Sequence, residues 1–110
     1  MNLEQERREE LLILRPRGRL DSSSSPELER ILTEQLDAGA QRLVFDFTSL
    51  DYISSAGLRV VLLAGKKLRA SKGKMVLVGL QDMVREVFEM SGFLALFAVA
   101  PTLEEGITKV

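Results

Sequence analysis

The 110-residue chain contains neither cysteine nor histidine. The missing cysteine excludes disulfides, thiolate metal sites and thiol nucleophiles. The missing histidine excludes the Ser-His-Asp mechanism and the usual zinc sites. Acid–base chemistry would fall to lysine, tyrosine and the carboxylates, and we expect no metal and no cofactor.

The chain also lacks an excess of one charge and any long hydrophobic run. Its 15 basic and 16 acidic side chains leave a net charge of -1. No global field therefore attracts nucleic acid or an acidic membrane, and we expect neither partner. The longest apolar run, residues 93–100, is too short to span a bilayer. Residues 1–10 lack the apolar stretch of a signal peptide, so we expect a cytoplasmic protein.

The alternation of apolar segments predicts a single α/β domain. Residues 1–10 read as a charged N-terminal extension and residues 11–110 as one domain, expected to be a monomer. Strands are predicted at 11–14, 19–21, 43–47, 75–78 and 94–99, with a turn at 48–52. Helices are predicted to begin near residues 26, 54, 83 and 101. This order indicates a mixed, mostly parallel sheet of about four to five strands flanked by about four α-helices.

Serines and threonines mark two predicted helix starts. Ser24 with Glu27, and Thr102 with Glu105, have the spacing of a capping box. The serine run at 22–25 reads as a flexible polar loop, with a regulatory site as the alternative.

The segment Ile-Ser-Ser-Ala-Gly-Leu-Arg at 53–59 places two hydroxyls between a buried strand and a helix. Serine is a favoured N-cap because its oxygen accepts hydrogen bonds from free backbone amides. The same amides and the positive end of the helix dipole would tolerate a phosphate. Arg59, one turn on, is expected to lean towards it. A cap and a phosphorylation site both remain open here.

The helix that follows has a predicted inner and outer face. Five positions are expected to lie on the sheet: Leu58, Val61, Leu62, Gly65 and Leu68. Val60 and Leu63 are expected to project away from it, among basic neighbours: Arg59, Lys66 and Lys67. This is either an apolar patch edged with positive charge or a pair of ordinary exposed apolar residues.

The segment at 51–59, Asp-Tyr-Ile-Ser-Ser-Ala-Gly-Leu-Arg, resembles the phosphoacceptor motif of STAS-domain anti-sigma factor antagonists. Three further segments are similar to the family: Gly-Arg-Leu-Asp at 18–21, the strand at 43–47, and Phe-Glu-Met-Ser-Gly-Phe at 88–93. The similarity covers nearly all of the chain after about residue 11. It implies the family's mixed sheet flanked by helices.

By this resemblance Ser55 is the phosphoacceptor. Many family members have an aspartate immediately before it; here that position is Ser54, which is therefore a rival acceptor. The resemblance implies a partner-binding surface made of Asp21, Ser54, Gly57, Arg59, Val60, Leu63, Lys66 and Lys67. The alternative for Asp21 is a turn aspartate that binds local amides.

The resemblance also implies a partner-switching cycle. The unphosphorylated protein binds an anti-sigma factor that is a serine kinase of the histidine-kinase-like ATPase fold. Phosphorylation of Ser55 releases it, and a PP2C-type phosphatase restores the unphosphorylated form. The protein itself catalyses nothing in this cycle.

Three other functions compete with this one. A non-catalytic STAS scaffold or accessory subunit of a signalling assembly or transporter would share the fold. A receiver domain would use Asp46, but it needs an acidic pair after its first strand, where Asp21 stands alone. An enzyme with Ser55 as nucleophile would need Lys66 or Lys67 as base. We expect no enzyme.

Overall fold

The computed structural model describes residues 2–110, which form a six-stranded sheet and four α-helices. In chain order the elements are β1 (Asn2–Arg8), β2 (Leu11–Leu20), α1 (Ser25–Asp37), β3 (Arg42–Asp46), β4 (Leu50–Ile53), α2 (Ser55–Ala70), β5 (Lys74–Val78), α3 (Asp82–Met90), a 3-10 turn (Leu94–Leu96), β6 (Ala98–Ala100) and α4 (Leu103–Thr108).

The sheet is mixed and mostly parallel, as predicted. Its order is β1-β2-β3-β5-β6, with β1 antiparallel to β2 and the other pairs parallel. The short β4 pairs with the far end of β2. The sheet has six strands, against the four to five predicted: β1 and β4 are additional, and the segments predicted at 11–14 and 19–21 belong to one strand, β2. The segment at 48–52, predicted as a turn, contributes most of β4.

The predicted break at Pro16 is wrong, because β2 is one ten-residue strand. Two strands pair with β2 in parallel: β3 along Leu11 to Leu14, and β4 from Gly18 onward. Pro16 lies between these two partners. Proline has no amide hydrogen, so a strand tolerates it where no neighbouring strand would accept a hydrogen bond from that amide.

Most of the predicted N-terminal extension lies in the sheet as β1; Met1 is outside the described residues. Arg8 pairs with Leu11 across a two-residue turn in which Glu9 has a φ of 53°. Two-residue hairpin turns favour glycine or asparagine. Both turn residues here are glutamates, so the sequence does not indicate a hairpin. The charged side chains of β1 suit an edge strand.

Apolar side chains form a layer on each face of the sheet. One layer packs α1, α2 and α3 onto the strands, and a smaller one packs α4 onto the other face. A row of phenylalanines runs through the larger layer, with ring centroids 5.3 to 6.2 Å apart: Phe45, Phe47, Phe88 and Phe97. The sheet and its larger layer fix the position of α2.

The strand predicted at 94–99 is replaced by two elements. Leu94–Leu96 forms a 3-10 turn, and β6 begins only at Ala98. Because β6 is short, it pairs with β5 only from Val76 onward.

Candidate functional site at the start of helix α2

The end of β2 and the end of β4 meet at one edge of the sheet. Leu20 pairs with Ile53, and the backbone amide of Ser54 donates to the Leu20 carbonyl at 2.9 Å. Asp21 and Ser54 therefore follow neighbouring parallel strands. The predicted position of Asp21, near the serine pair, agrees with this geometry.

The two serines have different structural roles. Ser54 is the N-cap of α2, and its Oγ accepts a hydrogen bond from the Gly57 amide at 3.3 Å. Ser55 is the first helical residue and is exposed. Its hydroxyl forms no hydrogen bond with any residue from 2 to 110. Of the two serines, Ser54 therefore caps the helix and Ser55 does not.

Gly57 is buried where the first turn of α2 meets the sheet. A Cβ atom at this position would lie 2.8 Å from Ile53 Cγ1 and 2.9 Å from Leu20 Cγ. These are shorter than the Cβ contacts that proteins show, so glycine is needed for this close approach. Gly57 thus sets how deeply the serine pair is seated on the sheet.

The outer face of α2 differs from the prediction at one apolar position. Val60 is fully buried in the larger core layer, so its expected projection away from the sheet is wrong. Leu63 and Lys67 are half-buried, and Lys66 is exposed. The exposed side of α2 therefore consists of Leu63 and its basic neighbours without Val60.

Arg59 does not lean towards Ser55. Its Nη2 lies 2.7 Å from Oε1 of Glu29 on α1. The expected approach to the serine is wrong, because the carboxylate on the neighbouring helix holds the guanidinium. The pair bridges α1 and α2, and in the part of the chain that the structure describes no basic side chain is hydrogen-bonded to Ser55.

Asp21 organises the loop that leads into α1. Its Oδ1 accepts hydrogen bonds from the amide and the hydroxyl of Ser23, at 3.1 and 2.8 Å, and from the Ser24 amide at 3.3 Å. Ser24 Oγ bonds to the Arg19 carbonyl and the Asp21 amide. It caps no helical amide, so the capping box predicted with Glu27 is wrong.

The pKa of Asp21 is lowered, mainly by hydrogen bonds from the Ser23 hydroxyl and amide. Burial opposes this, and weaker hydrogen bonds from the Ser24 amide and hydroxyl add to the lowering. The site thus keeps a negative charge at neutral pH. Arg19 stands 3.8 Å from this carboxylate, and its guanidinium carbon is 4.1 Å from the ring centroid of Tyr52. Asp21 is part of the turn that leads into α1, and it is also half-exposed beside the Ser54–Ser55 pair.

Asp46 lies on the other face of the sheet. Burial raises its pKa, but hydrogen bonds from the Thr48 hydroxyl at 2.6 Å, from Arg15 Nε at 2.9 Å and from the Thr48 amide outweigh it, so the pKa is lowered. A carboxylate enclosed in this way serves the fold and does not match the receiver interpretation. Within residues 2–110, no three acidic side chains are grouped to hold a metal ion.

Comparison with known proteins identifies the fold family. The family model described as the STAS domain matches residues 2–106. The chain belongs to the STAS domain family. A relative from Bordetella bronchiseptica, BtrV, is named as a candidate anti-sigma factor antagonist. It is 48% identical over 104 residues, which are 94% of this chain and 90% of BtrV.

Solved structures share this STAS fold. A candidate anti-sigma factor antagonist from Thermotoga maritima has a TM-score of 0.92 at 18% identity, covering 98% of this chain and 93% of that one. The Bacillus protein SpoIIAA in its phosphorylated form has a TM-score of 0.79 at 24% identity, with 97% of each chain covered. At these identities the structures show the fold alone.

Two features of the site could not be read from the sequence. Glu29 precedes its partner Arg59 by 30 residues, and nothing in the sequence links them. The close approach of Gly57 to β2 also has no signal in the sequence, because the apolar pattern of residues 48–52 predicts a turn where β4 pairs with β2. Among the described residues, no helix has both the length and the hydropathy to cross a membrane.

Proposed function

We propose that this STAS domain is an anti-sigma factor antagonist that works by partner switching, with Ser55 as its phosphorylation site. The observation that carries the proposal is the division of roles between the two serines. Ser54 caps α2, while the hydroxyl of Ser55 is exposed and bonds to no described residue. A phosphate on Ser55 would change the surface and leave the cap intact.

The electrostatics of the site support a switch based on charge. A phosphoserine adds nearly two negative charges at neutral pH. Arg59 is already paired with Glu29, and Asp21 keeps its own negative charge nearby. Among residues 2–110, no basic side chain is hydrogen-bonded to Ser55, so no cation is already in place to neutralise the added charge. A partner seated here would have to bury it, and a hundredfold to thousandfold loss of affinity needs only about 3–4 kcal/mol.

The partner is an anti-sigma factor, as the name of the related Bordetella protein suggests. We further propose that it is a serine kinase of the histidine-kinase-like ATPase fold and that a PP2C-type phosphatase reverses the reaction. The contact surface would consist of exposed or half-exposed residues around Ser55: Asp21, Ser54, Arg59, Leu63, Lys66 and Lys67. Gly57 and Val60 would support it from beneath. The protein itself would be a binding partner and no catalyst.

Phosphopeptide mapping of the protein purified from its native host tests the assignment. We expect one phosphate on the tryptic peptide that ends at Arg59, located on Ser55. In the same host, Ser55→Ala should carry no phosphate, whereas Ser54→Ala should still be phosphorylated. Phosphate on Ser54, or none under any growth condition, would contradict the assignment; the second outcome would favour the accessory-subunit function.

The binding surface has its own test. Leu63→Asp places a charge on the half-buried outer face of α2 and should weaken capture of the anti-sigma factor at least tenfold. Met90→Asp, at an apolar residue on α3 that is 81% exposed, is the matched control and should bind normally. Equal binding by both variants, with unchanged thermal stability, would place the interface elsewhere.

A further inference from the structure

A groove of about 740 Å³ lies at the other end of α2, away from Ser55. It opens between the second half of α2 and the beginning of β5. β5 starts at Lys74, but β6 joins it only at Val76. The 3-10 turn at Leu94–Leu96 takes the place of a longer β6, and the edge of the sheet is left open there.

The floor of the groove is apolar. It is formed by side chains from α2, β5 and the segment before β6: Leu62, Leu68, Met75, Leu96 and Phe97. Leu96 is 57% exposed although it is large and apolar. Gly65 widens the groove, since a Cβ atom at this position would lie 3.1 Å from Phe97 Cε1. Apolar surface left in water gains free energy when a ligand covers it.

The rim of the groove is basic. Four cationic side chains line it, Lys66, Arg69, Lys72 and Lys74, and no acidic residue does. None of the four is ion-paired with a residue in the described part of the chain, although seven arginines elsewhere are. Residues 52–81 contain six basic residues and no acidic one, in a protein whose net charge is -1. Positive charge is thus concentrated in this part of the chain, and of the six only Arg59, which lies outside the groove, has an ion-pair partner among the described residues.

We propose that this groove binds a long-chain carboxylate, a free fatty acid. The apolar floor would cover the acyl chain, and the rim would bind the carboxylate through charge-assisted hydrogen bonds. Lysine and arginine suit this arrangement, because their aliphatic stems lie along apolar surface while their charged ends reach the head group. The volume is that of a site for a small ligand, and a single groove suits a single acyl chain.

The groove and the serine pair lie at opposite ends of one helix, and Lys66 is the one residue that the groove shares with the proposed contact surface around Ser55. Lys66 is eleven residues after Ser55, about 16 Å along the helix axis. Fatty-acid binding therefore does not depend on phosphorylation of Ser55, and a negative result in one experiment leaves the other proposal standing.

Calorimetric titration of the full chain with monomeric dodecanoate tests the proposal. We expect saturable binding of one dodecanoate per chain, weakened by salt because the head group binds cations. Affinity should fall about fourfold for each methylene removed, as for an acyl chain that is buried. Dodecyltrimethylammonium, with the same chain and a positive head group, should not bind.

Variants separate the groove from general surface charge. Gly65→Leu fills the groove, and Lys66→Glu combined with Lys74→Glu reverses charge on its rim; each change should weaken binding at least tenfold. The matched control is Lys109→Glu, an exposed charge reversal outside the groove, which should bind as the wild type does. Circular dichroism establishes that every variant is folded.

Three results would overturn the proposal: no saturable binding of dodecanoate, equal binding of the cationic amphiphile, or full binding by folded Gly65→Leu. Binding to phosphatidylglycerol vesicles, or to an acidic amphipathic peptide, without binding of monomeric dodecanoate would also overturn it. Either of these would assign the basic rim to a membrane surface or to a protein partner instead.

Discussion

The two ends of α2 contrast in packing, although both contain a glycine on the side that faces the protein. At Gly57 a Cβ atom would collide with β2 and β4, with Leu20 Cγ and Ile53 Cγ1 both within 3 Å. At Gly65 it would meet only the ends of two side chains, Phe97 at 3.1 Å and Met75 at 3.4 Å. The first turn is seated tightly on the sheet, and the second half of the helix borders an open groove.

The charges at the two ends contrast in the same way. Near the first turn, the carboxylate of Asp21 is held by amides and hydroxyls of the following loop. Along the last two turns, Lys66 and Arg69 have no ion-pair partner in the described part of the chain. A phosphate on Ser55 would therefore be added beside a carboxylate and a loop that hydrogen bonds already hold in place. A ligand at the other end would find mobile side chains able to adapt to it.

The sharpest test of this contrast places the same side chain at both glycines. Gly57→Leu should lower the free energy of unfolding by about 3 kcal/mol or more, because the first turn must lift off β2 and β4. Gly65→Leu should change it by less than about 1 kcal/mol, since the new side chain enters the groove and leucine favours helix. Urea unfolding measures both, and similar losses would show that the two ends are packed alike.

A substitution at Asp46 tests whether its enclosed carboxylate, at the end of β3, makes the stability of the fold sensitive to acid. Its pKa in the fold is lowered, so its contribution is present above the unfolded pKa of about 3.9 and is lost as the pH falls through the folded pKa. Asp46→Asn should therefore cost about 1.5–3 kcal/mol at pH 7 and flatten the decline of stability in acid.

Thermal unfolding between pH 7 and pH 2 measures this effect of Asp46→Asn. The exposed Asp51→Asn is the control and should follow the wild-type curve. An Asp46→Asn curve parallel to that of the wild type would show that Asp46 is not the acid-sensitive group.

The serine pair tests the division of roles at the first turn. Ser54→Ala removes the N-cap hydrogen bond to Gly57 and should cost about 1 kcal/mol. Ser55→Ala should stay within about 0.5 kcal/mol of the wild type, because the lost hydroxyl binds no described residue. Equal losses in chemical denaturation would mean that both serines take part in the cap.

The smallest expected effect is at the other end of α2. Lys72 has a φ of 63°, and its amide donates to the Arg69 carbonyl while that of Gly73 donates to the Leu68 carbonyl. This is a Schellman motif with lysine where glycine is usual. Lys72→Gly should stabilise the fold by about 0.5–1 kcal/mol in urea unfolding. A loss of stability would mean that the lysine side chain supports the end of the helix.

Long segments with a strong apolar pattern were predictable, and short or polar ones were not. Helix α2 and strand β5 matched their predictions closely because each is long or strongly apolar for its type. Strand β1 was missed because it has one apolar residue, Leu3, and a hairpin turn without glycine. Strand β4 was missed because four residues are too few to show alternation.

The sequence by itself determined the alternation of strands and helices, the single domain, and the serine pair at the start of a helix. These depend on hydrophobic periodicity and on local backbone chemistry, which act over a few residues. Only the tertiary structure decided that Ser54 is the cap, that Arg59 binds Glu29, that Val60 is buried, and that a groove opens beside Gly65. Each of these depends on contacts between segments distant in the chain, or on the depth at which α2 sits on the sheet.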